Sequence, residues 1–291
     1  MRHLLILLVV LTPAIACRAA TADDRPVAQW FYVDVPPAMI LKGEDKGTGY
    51  VDRIIGLFKR SMPGYRHEDV QSSVTRMFAT MQERDGICTG GLLRTPEREK
   101  VLFYSNSFYP VLVNRLVTNR AKRPLLAPYV SPEGHVDLGA LADDDRLVAG
   151  YVGQRFYSPL IQQFIETRTA NDPEGRLRVL IPNDRFSLLL RHDRIDFAFG
   201  LAAEIYYQSL REEAAAEGAE LVSYAVRGEP VAKPGGFACS GGPLGRQIAG
   251  EINRLVADPA IRAEIRSYYT DWLDEDARRD FARAVEEEEA R

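Results

Sequence analysis

Short apolar runs alternating with amphipathic helical segments along most of the chain predict an α/β protein with a mostly parallel sheet. Three observations carry that expectation. Strand-like runs at 28–33 and 86–91 end in Pro or Gly, and helically spaced apolar residues follow them. Behind a stretch rich in Pro and basic residues the same texture returns, which gives a second, smaller α/β unit over 119–225. Finally, 46% hydrophobic and 27% charged residues in a chain of 291 is a globular balance, long enough for a sizeable core and two domains.

The elements follow in order. The strand at 28–33 is stopped by Asp34-Val35-Pro36-Pro37. Gly47-Thr48-Gly49 opens a helix with Val51, Ile54, Ile55, Phe58 and Met62 on one face, closed by Pro63-Gly64. A second helix is expected over 72–82 with Val74, Phe78 and Met81 inward, then a buried strand at 86–91 and strands at 101–104 and 111–118. In the second unit, 138–141 reads as a helical turn and 147–152 as a strand. A loop over 153–159 feeds a helix with Leu160, Ile161, Phe164 and Ile165 inward. Strands at 179–181 and 195–199 flank a helical stretch at 186–190. Pro230, Pro234 and Gly235-Gly236 break the chain before a strand at 237–240. Two helices follow, one carrying Leu244, Ile248, Ile252, Leu255 and Val256, the other Ile261, Ile265, Tyr268 and Trp272. The tail at 281–291, with Glu286–Glu289, reads as a solvated, frayed end.

Several function classes are excluded. The composition is neither disordered nor collagen-like, and no set of long apolar runs suggests a multi-pass membrane protein. A net charge of −4 offers no basic face for nucleic acid. His3, His67, His135 and His192 are isolated, so no metal cage is expected. Nucleophile-elbow, zinc-protease and Walker motifs are absent, and Gly47-x-Gly49 has Asp52 where a dinucleotide fingerprint needs its third Gly. No catalytic set and no cofactor are read from the sequence.

Met1-Arg2-His3, the apolar run 4–11 and the small residues after Pro13 form a secretory leader, with residues 1–22 expected to be removed. A lipobox reading at Cys17 is disfavoured by Ala14, which stands where Leu or Val is usual. The expected location is the periplasm. Export leaves Cys88 and Cys239 as an even pair in an oxidising compartment, to be bridged or to remain as two buried thiols. Exported proteins seldom keep two free thiols, which favours the bridge. Closing a loop of roughly 150 residues is worth about 5 kcal/mol in the chain-entropy model.

The stretch Thr95-Pro96-Glu97-Arg98, followed by Phe103-Tyr104-Ser105 and Tyr109, resembles the type 2 periplasmic solute-binding proteins, specifically their amino-acid-binding family 3. Pro36-Pro37 before Gly47-x-Gly49-x-x-Asp52, the loop 153–158 and the segment 188–196 resemble further pieces of that pattern, in the same order. The resemblance implies a two-lobed Venus-flytrap fold with two interlobe crossovers, lobe one over 24–112 plus 230–280 and lobe two over 113–229. It also implies an exported, monomeric protein that holds a small carboxylate-bearing ligand for a membrane permease or a sensor. An exported dehydratase-like enzyme on the same fold and an orphan partner-binding domain are the rivals; a cleft carboxylate with a raised pKa would favour the enzyme.

By the same resemblance, Arg98 would grip the ligand carboxylate with its planar fork, close to Thr95 and Gly91. The plainer alternative for Arg98 is an ion pair with Glu97 or Glu99. Gly90 and Gly91 would allow close backbone approach. Trp30, Tyr32, Tyr50 and Tyr109 would line an aromatic cleft, or else belong to the core. Gln154, Arg155, Tyr157 and Ser158 would close on the ligand from lobe two, Ser158 alternatively being an ordinary cap before Pro159. The acid that holds the ammonium in amino-acid binders falls at Leu201, with Glu204 nearest, and Leu93 replaces a usual Thr. A standard α-amino acid is therefore not the expected ligand, and Arg155 would suit a dianion.

Overall fold

The computed structural model describes residues 23–152, 155, 157–170, 172, 175, 177–180 (backbone only), 186–210 and 220–290. Residues 1–22, expected above to be a leader and including Cys17, lie outside them, as do Gly153 and Gln154. The chain begins with β1 (Val27–Tyr32), α1 (Tyr50–Ser61), β2 (Arg66–Gln71), α2 (Val74–Glu83), β3 (Ile87–Gly90), a short α3 (Pro96–Glu99) and β4 (Leu102–Tyr104). β5 (Tyr109–Leu112) and β6 (Asn114–Asn119) carry it into the second half. There it forms α4 (Arg123–Leu126), β7 (His135–Val136), α5 (Leu138–Ala142), β8 (Ala149–Val152), α6 (Pro159–Ala170), β9 (Leu177–Leu180), α7 (Phe186–Arg191), β10 (Phe197–Leu201), α8 (Ala202–Leu210) and β11 (Leu221–Val226). β12 (Ala232–Gly235) leads back to β13 (Phe237–Ser240), α9 (Pro243–Val256), α10 (Pro259–Thr270) and α11 (Glu275–Glu289).

Two sheets organise these elements, one of order β2-β1-β3-β13-β4 and one of order β7-β11-β6-β10-β8-β9. Both are mixed, which corrects the expected mostly parallel sheet. β13 runs antiparallel to β3 and β4, and β6 antiparallel to β10 and β11, because the crossing strands enter each sheet against its own direction. Between the sheets β5 and β12 pair antiparallel, from Tyr109 opposite Gly235 to Leu112 opposite Ala232, so the two crossings lie side by side as a hinge. The strand expected over 111–118 is thus two strands, bent at Val113.

The first sheet is held by α1, whose Val51, Ile54, Ile55 and Phe58 are fully buried against Trp30 and Phe237. The second sheet shows period-two alternation: Leu116, Phe197 and Phe199 face one core cluster, while Val117 and Ala198 face another. Cys88 and Cys239 are register partners on neighbouring strands, both buried, and form the expected disulfide, S–S 2.00 Å.

Two elements depart from expectation. β2, Arg-His-Glu-Asp-Val-Gln, is an edge strand without an apolar pattern. The expected frayed tail is α11, ordered through Glu289, with Ala277, Phe281 and Ala284 buried and Phe281 against Tyr269 at 5.3 Å. Its last two acids are partnered: Glu288 accepts from Ser107 Oγ at 2.5 Å, and Arg266 reaches Glu288 and Glu289. Three inward residues among many charges suffice because they recur at helical spacing.

Candidate functional site

A cleft of about 800 Å³ opens beyond the carboxyl ends of β1, β3 and β10, the place where open α/β sheets gather ligands. One wall comes from the first sheet's loops: Val35 to Ala38, Gly91 to Arg94 and Ser105. The hinge supplies Tyr109, Val111 to Asn114 and Lys233 to Gly236. The opposite wall is Arg155 and Ser158 before α6, with Leu201, Glu204 and Tyr207 at the start of α8.

The lining is mostly apolar and aromatic. Tyr50 stands edge-on to Tyr269 at 5.0 Å and to Tyr109 at 6.3 Å, and burial pushes all three phenols well above their ordinary range, so they stay neutral donors. The Tyr269 hydroxyl accepts from the Leu112 N–H at 3.1 Å, tying α10 to the hinge strand. Three cationic side chains, Arg94, Arg155 and Lys233, and two carboxylates, Asp34 and Glu204, line the cleft among the described residues.

Of the residues expected at the site, Gly91, Tyr50, Tyr109, Arg155, Ser158 and Glu204 line this cleft. Gly91 holds φ +71°, a left-handed turn that suits Gly; Gly90, by contrast, is demanded by the core, since a Cβ there would meet Val51 at 2.6 Å and Phe237 at 2.8 Å. Trp30 is fully buried instead. Its indole N–H, a donor only, gives to His67 Nδ1 at 3.1 Å, so His67 Nε2 carries the proton and donates to the Met62 carbonyl at 3.0 Å. Tyr32 lies over by Lys59 and Asp69, away from the cleft, its phenol pushed up by burial. Tyr157 packs edge-on against Phe199, and its hydroxyl accepts from the Val152 N–H at 2.8 Å.

Thr95 is the cap of α3, its hydroxyl accepting from the Arg98 N–H at 3.3 Å. Arg98 is not among the lining residues. Its Nη1 donates to the Leu93 carbonyl at 2.7 Å, with the guanidinium 5.8 Å from the Phe78 ring. It pairs with neither Glu97 nor Glu99; Glu99 is taken by Arg94 at 2.5 Å. Ser158 does accept a helix-opening bond, but through its carbonyl, from the Gln162 N–H. Arg155, expected to meet a second ligand carboxylate, makes two bonds to Glu204 here. Sequence reading missed Arg94, Asn114, Tyr207, Lys233 and Tyr269; a position just beyond β3 was the available signal for Arg94.

A buried carboxylate with a raised pKa does exist, Asp52, pushed up to about 6 by burial. It lies outside the cleft lining and accepts from the Ile40 and Gly49 N–H groups at 2.9 and 3.1 Å, fastening the loop after β1 to the start of α1. It therefore lends no support to an enzyme. No helix among the described residues is long and apolar enough to cross a membrane.

No protein-family model and no curated protein matches the sequence. Solved structures do match. A histidine kinase sensor domain with similarity to periplasmic binding proteins aligns at 16% identity and TM-score 0.58, covering 86% of this chain and 96% of that one. An ancestral cationic amino acid solute-binding protein aligns at 17% and 0.59, covering 86% and 96%. The substrate-binding protein of an amino acid ABC transporter aligns at 15% and 0.54, covering 84% and 98%. At such identities the likeness establishes the fold: a two-lobed Venus flytrap of the periplasmic-binding-protein kind.

Proposed function

We propose that this chain is an exported solute-binding protein that captures a small carboxylate-bearing ligand between its lobes, for delivery to a membrane permease or report to a sensor. The observation that supports this best is the cleft itself. Its 800 Å³ lies within the usual range for small-molecule sites, and both lobes and both hinge strands contribute to its walls. A ligand touching both walls stabilises the closed form by its contacts with the second lobe, which the open form lacks.

The lobes are proposed as 24–112 plus 230–280 and 113–229, following residues 1–22 as a cleaved leader. The carboxylate on the ligand follows from the resemblance, and the lining tyrosines favour an apolar or aromatic body. Arg98 acts in this reading as a positioning residue: by holding the Leu93 carbonyl it fixes the loop that carries Gly91 to Arg94 into the cleft.

The test is mass spectrometry of small molecules released when the purified, natively isolated protein is denatured. A near-stoichiometric organic acid is expected. Absence of any released molecule, together with no change in melting temperature across a library of small acids, would overturn the proposal.

A further inference from the structure

On the lobe-two side of the cleft the charges already satisfy each other. Arg155 Nη1 and Nη2 donate to Glu204 Oε2 and Oε1 at 2.7 and 2.6 Å, and the two side chains are only 13% and 9% exposed. The Leu201 N–H adds a bond to Glu204 Oε2 at 3.3 Å. The other lining carboxylate among the described residues, Asp34, is exposed and accepts from the Leu41 N–H at 3.1 Å, with Lys42 3.5 Å away. A ligand ammonium entering here would lose its water while finding the buried carboxylate already taken by a guanidinium.

What stands open beside that pair is neutral. Ser158 Oγ and Asn114 Oδ1 are buried without a hydrogen-bond partner, and both residues line the cleft. Asn114 is the register partner of Leu201, so its amide sits next to the turn that carries Glu204. The Asn114 oxygen accepts and the Ser158 hydroxyl donates or accepts, so a ligand hydroxyl can satisfy both without bringing a charge.

We infer that the Arg155–Glu204 pair is a built-in selectivity filter that turns away α-amino acids, and that the cleft takes small monocarboxylates carrying a hydroxyl or a hydrogen where the amine would be. This rests on the capture reading above. Arg155 supplies, from within the protein, the cation that Glu204 would otherwise take from a ligand.

The experiment is calorimetric titration of the full exported protein, freed of bound small molecules by unfolding and refolding, with two matched series. One series is L-alanine, L-lactate and propionate; the other is L-phenylalanine, L-3-phenyllactate and 3-phenylpropionate. In wild type the hydroxy or unsubstituted acid of at least one series should bind at least tenfold more tightly than its amino acid. Arg155→Met uncovers Glu204 and should raise amino-acid affinity tenfold or more, reversing the order.

Should Arg155→Met fail to fold, Glu204→Gln gives an independent reading. It leaves an uncompensated guanidinium in the cleft, so succinate should gain at least tenfold over propionate relative to wild type. Amino acids binding wild type as well as their congeners, or an unchanged order in the foldable variants, would overturn the inference. If no acid of either series binds although the native protein releases a bound small molecule, the filter falls and ligand capture stands. If nothing is released and nothing binds, both fall.

Discussion

The hinge region contains a buried ion pair whose two halves should respond unequally to truncation. Arg115 on β6 reaches across to Asp280 on α11, Nη1 to Oδ2 at 2.6 Å, with side chains 8% and 12% exposed. Arg115 Nε also donates to Ser223 Oγ on β11 at 2.9 Å. Asp280 has a second cation, the exposed Arg283 on its own helix. Asp280→Ala therefore strands a buried guanidinium with one hydroxyl for company, and should cost about 3–5 kcal/mol, the range for orphaning a buried charge. Arg115→Met keeps the volume and leaves Asp280 with Arg283, so about 1–2 kcal/mol is expected. The double variant should cost less than the sum, with a coupling of at least about 2 kcal/mol. Urea unfolding followed by intrinsic fluorescence measures all four proteins. Because the pair joins the last helix to the second sheet, Asp280→Ala should also broaden the transition or split it in two. Equal costs for the two single variants, or a coupling below about 0.5 kcal/mol, would refute the reasoning.

Other expectations follow from single residues. The folded-state pKa of Asp52, about 6, lies above its ordinary 3.8 because burial disfavours the charge. The folded protein thus binds the proton more readily than the unfolded chain, and this group's contribution rises as pH falls from about 6 to 4. Asp52→Asn should abolish that rise in denaturation curves taken across the window; an unchanged slope would show that another group supplies it. Alkylation of the denatured, unreduced mature protein should find no free thiol at Cys88 or Cys239, and replacing both by Ser should cost about 2–5 kcal/mol in thermal or urea unfolding. Arg98→Ala should weaken binding of the released ligand less than tenfold, since the side chain holds the Leu93 loop instead of facing the cleft. A loss above a hundredfold in titration would place Arg98 on the ligand.

How much of this was legible in the sequence depended on the face each residue shows. The helix carrying Val51, Ile54, Ile55 and Phe58, and the paired strands of Cys88 and Cys239, were readable because burial imposes a period. β2 was not, since an edge strand supported on one side needs few apolar residues. α11 was hidden by its charges, its inward stripe amounting to Ala277, Phe281 and Ala284. At the site, residue type alone misled. Trp30 and Tyr50 are equally aromatic, but Trp30 lies within β1 and packs into the core, whereas Tyr50 follows the loop beyond the strand's end and meets the cleft. The Arg155–Glu204 contact joins residues far apart in sequence, and the lobe-two fold alone brings them together.

The claim that the cleft is a closing trap is tested most directly by small-angle X-ray scattering of the mature protein, with its bound molecule removed and then restored. A fall in the radius of gyration on ligand addition, saturating with the calorimetric stoichiometry, is the predicted result. Tight binding with an unchanged radius of gyration would mean that the lobes do not close on the ligand, and would contradict the account.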